Sequence, residues 1–186
     1  TCSRVAKVQS IIKKYSGDSY FTIIIGDKDH AEVIGLKSYA RAGVHVVSDI
    51  HDIGDIPSAE KYIVVSQTTH ERNQFDQLVS EIIKKFQNVN VIDTICDSTR
   101  LRQDDVRNGI KNGIDTLVVV GGKNSANTSR LAKIGTDSGI KTFHIETDSE
   151  LKKKDLEDSK YILVTAGAST PGWIINNVLE KLYIIK

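Results

Sequence analysis

The side chains of this sequence that could do chemistry are gathered in four polar clusters and two cysteines. Gly26-Asp27-Lys28-Asp29-His30-Ala31-Glu32 sets a histidine two residues before a glutamate, which is an acid–base pair with a hydrogen-bond donor. Gly121-Gly122-Lys123-Asn124-Ser125-Ala126-Asn127 combines small residues with hydroxyl and amide groups. Ser66-Gln67-Thr68-Thr69 and Thr165-Ala166-Gly167-Ala168-Ser169 are rich in hydroxyls. Each cluster follows an apolar run and precedes a segment of helical period. Backbone N–H groups are free at such junctions, and anions are drawn to them. A phosphate group suits the position. Ser, Thr, Asn and Gly are also ordinary helix caps, so capping explains these residues taken singly. It explains His30 beside Glu32 poorly.

Nucleotide-binding loops are a weaker match. Gly121-Gly122-Lys123-Asn124-Ser125 lacks the four-residue gap that a P-loop needs before Gly-Lys-Ser/Thr, and neither glycine turn fits G-x-G-x-x-G. Cys2 and Cys96 each stand just before a helical segment, and three roles are open to them: small buried hydrophobes, a disulfide, or ligands of a shared metal centre. As ligands two thiolates are too few, because structural zinc takes four ligands and an iron–sulfur cluster three or four cysteines. A third cysteine would come from elsewhere.

The elements that must position these residues alternate along the chain. Short β-branched runs at 21–25, 44–47, 62–65, 89–92, 117–120, 141–145 and 161–165 read as strands. Segments of helical period lie between them, such as Val5, Val8, Ile11 and Ile12, or Phe75, Leu78, Ile82, Ile83 and Phe86. This alternation predicts an α/β fold with parallel sheets flanked by helices. Ile23-Ile24-Ile25 and Val118-Val119-Val120 are continuously apolar, as strands buried on both faces are. An internal repeat relates the two halves: Gly26 and Gly121 are 95 residues apart, and Cys2 and Cys96 are 94 apart. Two pseudo-repeated units are predicted, 1–95 and 96–186.

Composition narrows the function classes. The 186 residues carry 25 Lys plus Arg against 24 Asp plus Glu, a net charge of +1, so no global field favours nucleic acid or an anionic membrane. Apolar runs fall far short of the ~20 residues a spanning helix needs, and the first residues lack the pattern of a secretory signal. A soluble, cytoplasmic protein is expected. With no methionine among the 186 residues, the chain is expected to be cut, processed or part of something longer.

Six pieces then stand in order along the whole chain: Thr1-Cys2 before a helix, His30-Ala31-Glu32-Val33-Ile34-Gly35, Gln67-Thr68-Thr69, Asp93-Thr94-Ile95-Cys96 with Arg102-Gln103, Gly121 to Asn127, and Thr165-Ala166-Gly167-Ala168-Ser169-Thr170-Pro171. In this set the chain resembles the 4-hydroxy-3-methylbut-2-enyl diphosphate reductase family of the non-mevalonate isoprenoid pathway. The resemblance implies a trefoil of three α/β units, of which 1–95 is the second and 96–186 the third. It implies a [4Fe-4S] cluster held by one cysteine per unit, with Cys2 and Cys96 as two ligands. The third cysteine, and a further diphosphate-binding histidine, belong to the missing N-terminal unit.

By the same resemblance Glu32 is the proton donor to the hydroxyl end of the substrate, and Thr68 positions that hydroxyl. His30, Ser125, Asn127 and Ser169 hold the diphosphate. The implied reaction is a two-electron reductive dehydroxylation of a small allylic diphosphate to isopentenyl and dimethylallyl diphosphates. A reduced electron-transfer protein is the implied partner, and the chain alone is expected to be inactive. Two residues depart from the family pattern: Ala126 stands where serine is usual, and Ala31 where proline is common after the histidine. The alternative from a different class is a non-catalytic α/β module that binds a small anion or nucleotide and carries two buried structural cysteines.

Overall fold

Ile23, Ile24 and Ile25 have no exposed surface, and neither do Val118, Val119 and Val120. Side chains alternate across a strand, so burying three in succession requires cover on both faces of a sheet. The computed structural model, which describes residues 2–185, provides that cover twice. Thr1, which opens the first of the six pieces, lies outside the described residues. The chain divides into two compact units, one ending at Cys96 and the other beginning at Asp97.

In the first unit the order is α1 (Ser3–Gly17), β1 (Phe21–Ile25), α2 (Ala31–Lys37), β2 (Val44–Val47), β3 (Tyr62–Ser66), α3 (Arg72–Lys85) and β4 (Val89–Val91). A short 3-10 helix, Ile50–Asp55, follows β2. The four strands form one parallel sheet in the order β2-β1-β3-β4. Ile23, Ile25 and Val64 meet Phe75, Leu78 and Ile82 of α3 on one face. Ile24, Ile63 and Val65 meet Val8 and Ile12 of α1 and Val33 and Leu36 of α2 on the other. Phe75, Leu78 and Ile82 fall at i, i+3 and i+7, the stripe that a helix turns toward a sheet. Helix α3 starts where the Glu71 side chain accepts from the N–H groups of Asn73 and Gln74. Near its end Lys85 donates to the carbonyls of Ile53 and Gly54 and so pins the 3-10 helix.

The second unit repeats this with α4 (Asp97–Lys111), β5 (Thr116–Val120), α5 (Ala126–Asp137), β6 (Lys141–Ile145), β7 (Ile162–Ala166) and α6 (Gly172–Ile185). Its parallel sheet has the order β6-β5-β7. Val118 and Val120 pack with Val178 and Leu182 of α6, whereas Leu117 and Val119 pack with Val106 of α4 and Leu131 of α5. The strands lie within one or two residues of their predicted places. Among the described residues β7 is an edge strand, where its counterpart β3 carries β4. No helix among them is long and apolar enough to cross a membrane.

Ile24 tests the two-sided core directly. It is fully buried between β1 and the α1–α2 layer, so Ile24→Ala is expected to cost about 2–5 kcal/mol in urea unfolding, transfer and cavity terms together. Ile34→Ala, at a side chain 56% exposed on α2, is expected to stay within about 0.5 kcal/mol of wild type. Equal losses at the two positions would contradict this packing.

Candidate functional site

In each unit the central strand has one neighbour reached by the next crossover and another reached by the one after. Strand β1 lies between β2 and β3, and β5 lies between β6 and β7. Connections that leave the central strand in opposite directions open a crevice at its carboxyl end, where open parallel sheets hold their ligands. The polar clusters occupy that end in both units. Their backbones are held by matching hydrogen bonds. Gly26 N–H donates to Val47 O at 3.0 Å and Gly121 N–H to Ile145 O at 2.8 Å, tying each loop to β2 or β6. Gln67 N–H donates to Ile25 O at 2.8 Å and Gly167 N–H to Val120 O at 3.0 Å. Both glycine turns require glycine. A Cβ on Gly26 would lie 2.9 Å from Gln67 Cβ and from Val33 Cγ2, and Gly121 has φ +146 with Thr128 Cγ2 2.6 Å from the place of a Cβ.

Three of the singled-out residues are linked in the first unit. Oε1 of Glu32 accepts from the Thr68 N–H at 2.7 Å, and Oε2 accepts from the Thr68 hydroxyl at 2.9 Å. Cys96 N–H donates to Thr68 O at 2.8 Å. The carboxylate is thus gripped by one buried threonine, and the same threonine fixes the backbone of the cysteine. His30 is the N-cap of α2, with Nδ1 accepting from Glu32 N–H at 3.2 Å. A neutral ring that accepts at Nδ1 carries its proton on Nε2, which leaves one directed donor. Capping and anion binding are therefore compatible at His30, since each uses a different nitrogen. Gln67 is fully buried, accepts from Asp27 N–H at 3.0 Å through Oε1, and donates to Thr69 Oγ1 at 2.9 Å. It ties the two loops of this unit together.

In the second unit the equivalent helix start is built differently. Ser125 is the N-cap of α5 but makes no side-chain cap bond, and the turn before it is held by Thr128 Oγ1, which donates toward Gly122 O and Ser125 O at 2.7 and 2.9 Å. Asn127 is 7% exposed, and neither its Oδ1 nor its Nδ2 has a hydrogen-bond partner. Leaving a buried amide unpaired costs about 1–3 kcal/mol. Capping does not explain that residue. Ser169 is exposed in the turn after β7, a turn held by Thr170, whose N–H and Oγ1 donate to Gly167 O and Val120 O.

The cysteines correct two of the three open roles. No disulfide joins them; Cys2 is exposed at the N-cap of α1, and Cys96 is half-buried just before α4. Neither is buried deeply enough to serve as a core hydrophobe, so buried structural cysteines drop out with that role. No group of three or more His, Cys, Asp and Glu able to hold a metal ion occurs among the described residues.

Two ion pairs went unnoticed in the sequence. Lys28 Nζ pairs with Asp52 Oδ1, while Asp52 Oδ2 accepts from the N–H groups of Ser48 and Asp49 at 2.7 and 3.2 Å. Lys123 Nζ lies 2.5 Å from Glu150 Oε2, while Glu150 Oε1 accepts from the N–H groups of Glu146 and Thr147 at 2.7 and 3.1 Å. The signal was present as Asp49-x-x-Asp52 and Thr147-x-x-Glu150, the spacing of a capping box. Lys123 is the largest influence on the Glu150 carboxyl and lowers it; burial comes next and acts upward, but with the amides of Glu146 and Thr147 added the carboxyl lies below its ordinary value. For Asp52 burial is the largest single influence and acts upward, but Lys28 and the two amides together outweigh it, and the carboxyl lies lower than usual.

A family model described as LytB protein matches residues 1–183. The 4-hydroxy-3-methylbut-2-enyl diphosphate reductase of Geobacter sulfurreducens is 40% identical over 182 residues, covering 98% of this chain and 64% of that protein. The enzyme of the same name from Campylobacter jejuni subsp. jejuni is 42% identical over 183 residues, covering 98% and 65%. Among solved structures, the E-1-hydroxy-2-methyl-but-2-enyl-4-diphosphate reductase from Plasmodium falciparum matches with a TM-score of 0.89 at 27% identity, over 99% of this chain and 58% of that one. A second, the (E)-4-hydroxy-3-methyl-but-2-enyl diphosphate reductase described as the terminal enzyme of the non-mevalonate pathway, matches with a TM-score of 0.60 at 38% identity, over 99% and 66%. The chain spans 64–65% of the length of the curated relatives.

The depressed carboxyls set a pH dependence of known sign. A group whose folded value lies below its unfolded one contributes stability above the unfolded value and loses it as pH falls through the folded value. Wild type is therefore expected to lose stability on acidification below about pH 4, the ordinary carboxylate range. Glu150→Gln is expected to lose at most about 1 kcal/mol at neutral pH, because the pair is partly exposed, and to show no deficit once pH falls below the folded value of Glu150. Urea unfolding of both proteins between pH 7 and pH 3 checks this, and a deficit that grows toward acid would reverse the assigned sign.

Proposed function

The chain belongs to the LytB protein family, and on that premise we propose that it is the larger part of a cytoplasmic iron–sulfur reductase. In this reading the whole protein removes the allylic hydroxyl of 4-hydroxy-3-methylbut-2-enyl diphosphate and yields isopentenyl and dimethylallyl diphosphates. Each turnover consumes two electrons and two protons: the C–O bond breaks, one proton leaves with the hydroxyl as water, and the other ends on carbon. A reduced electron-transfer protein is the proposed donor. The 186 residues would be inactive without the unit that the longer relatives carry in addition.

The observation that carries the reading is the grip of Thr68 on Glu32, with Cys96 bonded to the same threonine. With Glu32 ionised, Thr68 donates through both its N–H and its hydroxyl. With Glu32 protonated at Oε2, the hydroxyl bond reverses: the acid donates to Thr68 Oγ1, and the threonine hydrogen is released toward a neighbouring oxygen. A proton can then pass from Glu32 through Thr68 to a leaving hydroxyl without movement of the backbone. Thr68 is buried and Glu32 half-buried along that path. His30 through Nε2–H, Ser125 and Ser169 through hydroxyls, and Asn127 through its amide N–H are the proposed diphosphate contacts. The unpartnered amide of Asn127 supports its place among them.

The proposed cofactor is a [4Fe-4S] cluster. Cys2 and Cys96 fit it as two ligands, since no disulfide joins them and each stands immediately before a helix. Three or four cysteines are the ordinary complement, so the third belongs to the part of the longer protein outside this chain. When bound, the cluster supplies the electrons and a Lewis-acidic iron.

Glu32→Gln in the full-length protein separates proton delivery from mere helix-end electrostatics. Gln keeps an acceptor for Thr68 N–H but brings no acidic proton. Turnover is expected to fall at least about a hundredfold, within the range for general acid catalysis, with the cluster absorbance and diphosphate affinity retained. If Glu32 only complements the α2 dipole, worth about 0.3–1 kcal/mol, turnover at matched cluster content will stay near normal, and the assigned role fails.

A further inference from the structure

Lys28 and Lys123 follow the glycine turns at the anion-facing ends of β1 and β5, where a lysine would ordinarily be read as a phosphate ligand. Both are spent elsewhere. Each pairs with an acid of the next crossover, Asp52 in the first unit and Glu150 in the second. Each acid has its other oxygen on two consecutive backbone N–H groups, of Ser48 and Asp49 or of Glu146 and Thr147. The pairing raises both lysines above their ordinary values, with the bond to the acid as the largest cause.

Further bonds tie loop to crossover at the same places. Ser48 Oγ donates to Gly26 O at 2.8 Å, and Lys123 N–H donates to Glu146 Oε1 at 2.8 Å. The offsets confirm equivalence while excluding a copied local motif, since the lysines are 95 residues apart and the acids 98. Two units whose intervening sequences have diverged in length keep the same contact.

We infer that Lys28–Asp52 and Lys123–Glu150 form a duplicated latch, positioning pairs that hold each glycine turn to its neighbouring crossover and leave anion recognition to His30 and uncharged donors. The inference rests on the proposed function for its catalytic consequence, and on geometry alone for the latch itself. As stability elements the pairs are small, because an exposed ion pair is screened by solvent and contributes little. As positioning elements they are not, since a misplacement of about 1 Å at a site can cost about a hundredfold in rate. Here the acid is already fixed to the crossover by two amides, so the lysine that reaches it ties the glycine turn to a rigid point.

The test uses the full-length protein that carries this chain, with Lys123→Met, Glu150→Gln, the two combined, and Lys123→Arg. Hydrogen exchange of the backbone amides at 121–128, measured without substrate, reads the latch independently of any activity. Exchange is expected to rise about fivefold in each single variant, the upper end for an exposed pair. The double variant should show no further increase, and Lys123→Arg should stay near wild type. In turnover, kcat/KM should fall alike in Lys123→Met and Glu150→Gln, with the salt dependence of KM unchanged. Unaltered exchange in all variants would overturn the latch. So would a rise in KM with Lys123→Met that Glu150→Gln does not share, which would make the lysine an anion ligand. If wild type proves not to be a reductase, the proposed function fails while the exchange result still decides the latch.

Discussion

Strands β1 and β5 can offer chemistry only at their ends, because Ile23–Ile25 in one and Leu117–Val120 in the other bury every side chain between two helical layers. A polar group placed along either strand would be desolvated without a partner and would cost several kcal/mol. The parallel ladder adds a second restriction, since its strand direction sends all carboxyl ends to one side of each sheet. Every residue singled out for chemistry lies on that side or at the start of a helix. Packing of the core thus fixes where the site can be before any residue of the site is chosen.

The repeat separates what the scaffold needs from what the site needs. Backbone bonds at the glycine turns, the return from β3 or β7, and the lysine–acid pairs occur in both units. The side chains at the helix starts do not match. One unit has His30 capping its own helix and Glu32 gripped by Thr68. In the other, the Thr128 hydroxyl donates to the carbonyls of Gly122 and Ser125, Ser125 makes no side-chain cap bond, and Asn127 is unpaired. Shared bonds are explained by folding, whereas the differing side chains call for a functional explanation.

Much of this was legible in the sequence for physical reasons. Continuous apolar runs announced two-sided burial, and the spacing of Phe75, Leu78 and Ile82 announced one face of a helix. The His30-x-Glu32 spacing located the first cluster. Other features depend on distance in the chain and left little local trace. The bond from Thr68 to Glu32 spans 36 residues, and that from Gln67 to Asp27 spans 40. Nothing in Gln67-Thr68-Thr69 by itself shows which of the three is buried against an acid. The lysine–acid pairs were half legible: the capping-box spacing marked the acids, but not the lysines more than 20 residues away that they meet.

Asn127 and Glu32 mark opposite ways of preparing a polar group for work. Glu32 is satisfied within its own unit, by the N–H and the hydroxyl of one threonine, so its position is set before any ligand arrives. Preorganisation of that kind lets a group act without reordering at the moment of reaction. Asn127 is held buried with neither end of its amide engaged, a standing cost to folding that, on the proposed reading, an anion's oxygen would offset in part by accepting from Nδ2. A residue whose role was only to support the helix start would do so better as a satisfied cap or an apolar side chain. The turn before α5 is held by the Thr128 hydroxyl, one residue away, through its bonds to Gly122 O and Ser125 O. Stability at this point is supplied by one side chain and given up at another, and on the proposed reading the amide is thereby kept available for the diphosphate.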